Sequence, residues 1–187
     1  MVGLPKTSQK QHNRMSHIHS SSTKPEIGLR HELWNQGFRY RKNDSRLPGK
    51  PDIVLPKYHT VIFVHGCFWH GHSGCKKYVI PHTNTEFWID KVSRNQKRDQ
   101  EVWRRLEALG WSVIIVWECQ LENKALNKTI SRVESEILSN GDLYRRHKEE
   151  RKLLREQRII ECRKKKERVK ALNAEVKYTF HDNLSQK

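Results

Sequence analysis

What this 187-residue chain lacks narrows its nature first. No apolar run approaches the roughly 20 residues a bilayer span requires, which excludes a transmembrane helix. The amino terminus has no hydrophobic signal core, so secretion by the usual route is excluded and a soluble, cytoplasmic protein is expected. Acidic residues are scarce. Against 37 Lys and Arg stand only 21 Asp and Glu, a formal charge of +16, which predicts a polyanionic partner. Nucleic acid is the common one, and an anionic membrane surface is the alternative. Cysteine is limited to four residues without even spacing, which points to metal or free thiols before a disulfide framework. No internal repeat recurs. The length suffices for one core of ordinary size, so one domain with appendages is expected.

Along the chain, residues 1–22 carry Lys6, Lys10, Arg14 and three histidines but almost nothing to bury, and read as a flexible basic arm able to follow a nucleic-acid groove. Thr23-Lys24-Pro25-Glu26 fits a capping box opening a helix that runs to Gly37 and buries Leu29, Leu33 and Trp34. Phe38 to Arg41 alternates like a half-exposed strand, and Pro51 to Leu55 forms a second short one. Thr60-Val61-Ile62-Phe63-Val64 is β-branched and apolar without alternation, as in a central strand covered on both faces. A helix from Thr85 to Leu109, stopped by Gly110, aligns Trp88, Val92, Asn95, Asp99, Val102 and Leu106 on one inward face. Trp111 to Trp117 is another strand. Leu126, Ile130, Val133 and Ile137 mark a further amphipathic helix closed by Ser139-Asn140-Gly141-Asp142. Residues 145–170 then hold 13 Lys or Arg against 5 Glu, and their few apolar residues make no sustained heptad, so a basic, partly helical extension over 141–187 follows the domain at 23–140. The sum is an α/β domain with a mixed central sheet flanked by helices.

The chemistry concentrates between Gly49 and Cys75. Asp52 opens a strand otherwise made of Ile53, Val54 and Leu55. It serves either as a cap for the Gly49-Lys50-Pro51 bend or as a carboxylate ligand for Mg²⁺, a hard cation that takes one or two carboxylates plus water and phosphate oxygens. His65, Cys67, His70, His72 and Cys75 fall within eleven residues. Cys67, His72 and Cys75, joined by Cys119 from a later strand end, make up a tetrahedral Cys₃His set for zinc, a closed site that would pin the loop. Buried free thiols are the alternative. His70 is left as a proton carrier. Asp99 can hold its ring nitrogen, or instead pair with Arg94 or Arg98 at the surface. Glu26 is accounted for by the capping box, with a catalytic role secondary. Phe68 and Trp69 lie in a polar, glycine-bounded loop where both cannot easily point inward, which suits wedges between base pairs; Trp88 falls on the inward stripe of its helix.

Together these residues resemble the very-short-patch repair DNA mismatch endonucleases, a branch of the restriction-endonuclease-like PD-(D/E)XK superfamily. Five ordered blocks carry the resemblance: Thr23 to Glu26, Leu47 to Asp52, Val61 to His70, Thr85 to Trp88 with Asn95 and Asp99 downstream, and Gly110-Trp111 through Val116 to Cys119. The superfamily's usual second acid and lysine are absent after Asp52, and in this branch histidines take that place. The resemblance implies Mg²⁺-dependent nicking 5′ to the thymine of a T:G mismatch of the kind left when 5-methylcytosine deaminates. It implies magnesium on Asp52 and the Val64 main-chain carbonyl, with His70 activating water and His65, Asp99 and Glu26 assisting. Phe68, Trp69 and Trp88 become the duplex wedge, and zinc sits on Cys67, His72, Cys75 and Cys119. The implied partner is double-stranded DNA, met by a nucleoid-associated monomer with repair proteins following. Two other functions remain open: a related nuclease of restriction or defence, and a non-catalytic zinc-stabilised DNA-binding module.

Overall fold

The computed structural model describes residues 22–122 and 124–184, with side chains through 170. The basic arm expected over 1–22 lies, apart from Ser22, outside the described residues. The first helix, α1, spans Lys24–Asn35. Glu26 reaches back to its start, accepting hydrogen bonds from the Thr23 N–H at 3.3 Å and hydroxyl at 2.8 Å. The helix ends two residues before Gly37. There Gly37 turns left-handed at φ +87°, the Phe38 N–H reaches the Leu33 carbonyl at 3.0 Å, and the last turn closes. Leu29 and Leu33 are buried as expected. Trp34 is not: it is 50 % exposed, its face covered by the Arg39 guanidinium 3.9 Å from the ring centroid. The Phe38 N–H is committed to closing the helix rather than to a sheet partner, and the first strand, β1, is only Arg41–Lys42 rather than Phe38 to Arg41.

The remaining strands are β2 (Ile53–Leu55), β3 (Thr60–His65) and β4 (Ser112–Trp117), and the sheet order is β1-β2-β3-β4. The first two pairings are antiparallel and β3 pairs parallel with β4. A parallel pair needs a long crossover. Here it is a loop followed by α2, Thr85–Ala108, whose end repeats the device of α1, with Gly110 at φ +82° and the Trp111 N–H bonded to the Leu106 carbonyl at 2.9 Å.

Two apolar clusters cover the two faces of the sheet. One joins Ile53, Leu55, Ile62, Ile114 and Val116 to Leu29 and Leu33 of α1 and to Ile130, Val133 and Ile137 of α3, the helix Ala125–Leu184. The other packs Val54, Val61 and Phe63 with Leu106, Val102 and Trp103 of α2. Side chains alternate along a strand. Val54, Val61 and Phe63 therefore share the α2 side, and the same alternation carries Asp52 and His65 to that side. This is the step that positions the site. Leu106 is fully buried there, and its replacement by alanine is expected to cost about 2–5 kcal/mol.

The helix expected to close at Ser139 to Asp142 instead runs through them. Gly141 is buried, and a Cβ there would lie 2.7 Å from Cδ1 of Tyr58. Glycine is required for close approach, not for termination. The chain forms two compact units, residues 1–142 and 143–187. In the second, every residue from 145 to 170 is helical and exposed. No helix among the described residues is long and apolar enough to cross a membrane.

Candidate active site

Asp52 sits at the mouth of β2, and its Oδ2 accepts the Val64 N–H from the neighbouring strand at 2.8 Å. Burial pushes its carboxyl up to about 6 from the ordinary 3.8, against the lowering effect of that hydrogen bond. The main chain of Asp52 is held from behind. Arg30, 5 % exposed, donates from Nη2 to the Asp52 carbonyl at 3.0 Å, to Asn43 Oδ1 at 3.2 Å and to Glu26 Oε2 at 3.1 Å. Glu26 also accepts the Ser22 N–H at 2.9 Å, so its two carboxylate oxygens bind the helix start and Arg30 together.

His65 ends β3, and the chain then folds into a turn in which the His70 N–H reaches the Gly66 carbonyl at 3.2 Å. That turn stacks the two imidazoles, centroids 3.8 Å apart and planes 16° off parallel. His70 Nδ1 lies 2.5 Å from Asp99 Oδ2. Burial works to raise the Asp99 carboxyl, but the His70 hydrogen bond and the charges of His70, His65 and Arg98 outweigh it and hold it below the ordinary value. The surface alternative for Asp99 survives only in part. Arg98 Nη2 stands 3.8 Å away on the exposed side, while Arg94 pairs with Asp90. His65 is 4 % exposed, and burial lowers it to about 3, so it is a neutral imidazole at physiological pH. Its Nδ1 is buried with no hydrogen-bond partner among the described residues.

Helix α2 clamps this loop. Asn95 Nδ2 donates to the Trp69 carbonyl at 2.9 Å, and Gln96 Nε2 to the His70 carbonyl at 3.2 Å. Gly71, at φ +66°, lets the loop approach: a Cβ there would stand 2.4 Å from Gln96 Nε2 and 2.8 Å from Val92 Cγ1. Asp52, Val64, His65, His70, Asp99 and Glu26 consequently line one cleft of about 350 Å³, whose rim also carries Lys50 and Arg98. An open, oxygen-bearing cleft with a buried carboxylate suits a hard divalent cation with its waters.

The second cluster lies farther along the loop. One ligating atom from each of Cys67, His72, Cys75 and Cys119 falls within 4.8 Å of every other. His72 Nδ1 is 3.4 Å from both the Cys67 and the Cys119 sulfur, and no disulfide joins these cysteines. Tetrahedral bonds of about 2.3 Å to sulfur put neighbouring donors close to 4 Å apart, so the set fits zinc. Trp117 stacks on the His72 ring at 4.1 Å and 1°, fixing its plane. Without metal, burial pushes the Cys67 thiol up to about 12; a bound cation would reverse that.

Phe68, Trp69 and Trp88 form a third group, with centroids 5.2 Å apart for Phe68–Trp69, 5.4 Å for Phe68–Trp88 and 6.1 Å for Trp69–Trp88. The helix stripe suggested a core position for Trp88. It is half-buried instead, at the first turn of α2, where the neighbouring Phe87 is exposed and Lys91 Nζ lies 5.7 Å from its ring centroid.

A family model described as DNA mismatch endonuclease Vsr matches residues 6–77. The Type II nicking enzyme V.NmeAIP of Neisseria meningitidis serogroup A is 53 % identical over 132 residues, covering 70 % of this chain and 94 % of that protein. The chain belongs to the DNA mismatch endonuclease Vsr family. The DNA mismatch endonuclease Vsr of Escherichia coli is 46 % identical over 110 residues, 59 % of this chain and 70 % of that one. The Type II nicking enzyme V.XorIIP of Xanthomonas oryzae pv. oryzae is 43 % identical over 109 residues, 58 % and 79 % respectively. Membership in the Vsr family makes the chain a DNA-cleaving endonuclease and implies a divalent metal. Three residues that support these two clusters escaped sequence reasoning: Arg30 behind Asp52, Trp103 stacked 5.9 Å from His65, and Trp117 against His72. Each lies one helical turn from a residue already singled out, or at the end of the same strand.

Proposed function

We propose that this chain nicks one strand of duplex DNA 5′ to the thymine of a T:G mismatch of the kind left by 5-methylcytosine deamination. The observation that supports the reading is the lining of one cleft by Asp52 and by the His70–Asp99 pair, a carboxylate for a cation beside an imidazole able to take a proton. Magnesium, held by Asp52 and the Val64 carbonyl, would polarise the scissile phosphate and acidify an attacking water. His70 accepts the water's proton at Nε2, and Asp99 holds the Nδ1–H so that the basic nitrogen faces the cleft. His65, neutral and stacked on His70, fixes the plane of that ring. Glu26 acts at the edge of the site by bracing the helix start and Arg30. Lys50 and Arg98 draw the phosphate to the rim. Phe68, Trp69 and Trp88 enter the stack beside the mismatch, and zinc on Cys67, His72, Cys75 and Cys119 pins the loop that carries them. The enzyme acts as a nucleoid-associated monomer, with repair proteins acting on the nick.

A second reading, nicking in a restriction context, is favoured by the names of the relatives, several of which are Type II nicking enzymes. A non-catalytic module leaves the Asp52, His70 and Asp99 arrangement without a purpose. Duplexes that differ only at one base pair, matched, T:G or another mismatch, assayed with and without magnesium, test the proposal. Magnesium-dependent nicking confined to the thymine strand of the T:G duplex is expected. Equal nicking of matched DNA would favour the second reading, and no nicking of any duplex would leave the binding module.

A further inference from the structure

The match to the Neisseria nicking enzyme takes 94 % of that protein but 70 % of this chain, so close to a third of this chain has no counterpart there. Residues 145–170 are helical, exposed at every position, and carry 13 Lys or Arg against 5 Glu. The charges are not spread evenly. At 3.6 residues per turn each residue advances about 100° around the axis. Lys148, Arg151, Lys152, Arg155, Arg158 and Lys166 then fall within about a third of the circumference, and no carboxylate enters that sector. Glu149, Glu150, Glu156, Glu161 and Glu167 all lie on the other side, together with Leu153, Leu154 and Ile160, while the uncharged Ile159, Cys162 and Val169 fall among the cations. A merely solvated helix mixes its charges, and a coiled-coil helix shows an apolar seam. This one presents a cationic face, extending from Lys148 to Lys166 over roughly 27 Å at 1.5 Å per residue, comparable with a turn of duplex.

We propose that this face binds the phosphate backbone of duplex DNA regardless of sequence and keeps the enzyme on DNA between sites, while taking no part in the nicking step. The proposal rests on duplex DNA being the substrate. Rigid helical spacing fixes the cations along a line, so each that meets a phosphate releases a condensed counterion and adds to the salt dependence of binding. Base edges are not read, and the hold is equal on matched and mismatched duplex.

Two full-length triple variants separate a face from a mere sum of charge. R151Q/R155Q/R158Q removes three of those six cations from the sector. R146Q/K164Q/R168Q removes the same charge from the opposite side, and glutamine preserves helix propensity in both. Binding to a matched and a T:G duplex is measured between 50 and 300 mM NaCl, roughly the span over which counterion release dominates. The first variant is expected to flatten the log–log salt slope by about 2 to 3 and to weaken binding at 0.1 M on the order of a hundredfold, alike on both duplexes. The second should change the slope by less than about 1, and single-turnover nicking at saturating enzyme should match wild type in both. Equal slopes for the two variants, an unchanged slope in the first, a loss confined to the mismatched duplex, or slowed single-turnover nicking would each overturn the proposal. If wild type nicks no duplex, the proposed function fails, while the comparison of salt slopes still decides this one.

Discussion

Asp52→Asn keeps the shape of the residue and removes its charge, which separates what the carboxylate costs the fold from what it does in the cleft. Burial raises the Asp52 carboxyl from 3.8 to about 6 in the folded chain. Between those two values the unfolded chain has released a proton that the folded chain still holds. Stability therefore falls as pH rises through that window, by about 1.4 kcal/mol per unit and about 3 kcal/mol in all, and is fully present only below the unfolded value. Asparagine has no such loss, and its carbonyl oxygen can still accept the Val64 N–H that Asp52 Oδ2 accepts at 2.8 Å. Urea unfolding in magnesium-free buffer should show the variant and wild type nearly equal near pH 3.5, then diverging until asparagine is the more stable by about 3 kcal/mol at pH 7, with no further change above it. Other titrating groups are common to both proteins and cancel in the difference. Adding magnesium at pH 7 should stabilise wild type alone, and the variant should not nick. A difference that does not vary with pH, or a variant less stable than wild type at pH 7, would refute the view that the cleft buries an uncompensated charge there.

Three further outcomes are expected. His70→Ala should abolish magnesium-dependent nicking while changing DNA affinity less than about threefold in filter binding, because phosphate contacts supply most of the hold. Elemental analysis of purified protein should find about one zinc per chain, and Cys119→Ser should lower that content and destabilise the fold, read by calorimetry. Gly141→Ala, a change that favours a helix by about 1 kcal/mol elsewhere, should here destabilise by about 1–3 kcal/mol because its Cβ would meet Tyr58 at 2.7 Å, and Tyr58→Ala should relieve it.

The placement of the cleft was legible because periodicity carries it. A two-residue period from Val54 and Phe63 sends Asp52 and His65 to one side of the sheet, and the helical period from Leu106 through Val102 sends Asp99 to meet them. The four zinc-type ligands were legible from local density, with Cys119 entering through the parallel pairing of β3 with β4. Arg30 was not legible. Its i to i+4 spacing from Glu26 looks like an ordinary surface pair, and its burial comes from Asn43 and the Asp52 main chain closing over it from far along the sequence. The course of α3 was misjudged for the same reason: glycine commonly ends a helix, and only the long-range contact with Tyr58 explains why Gly141 does not. The cationic sector of the second unit needs no tertiary contact to be seen. It escapes a search for apolar heptads because charge, not hydrophobicity, defines it.

The position of β4 bears on handling the protein. Ser112–Trp117 is six uncharged, β-prone residues at the margin of the described sheet, hydrogen-bonded to β3 on one side and to no described strand on the other. Heating that loosens the surrounding packing bares a template on which identical segments join. Concentrated samples are therefore expected to precipitate on heating, and the apparent melting temperature to fall as the protein is concentrated.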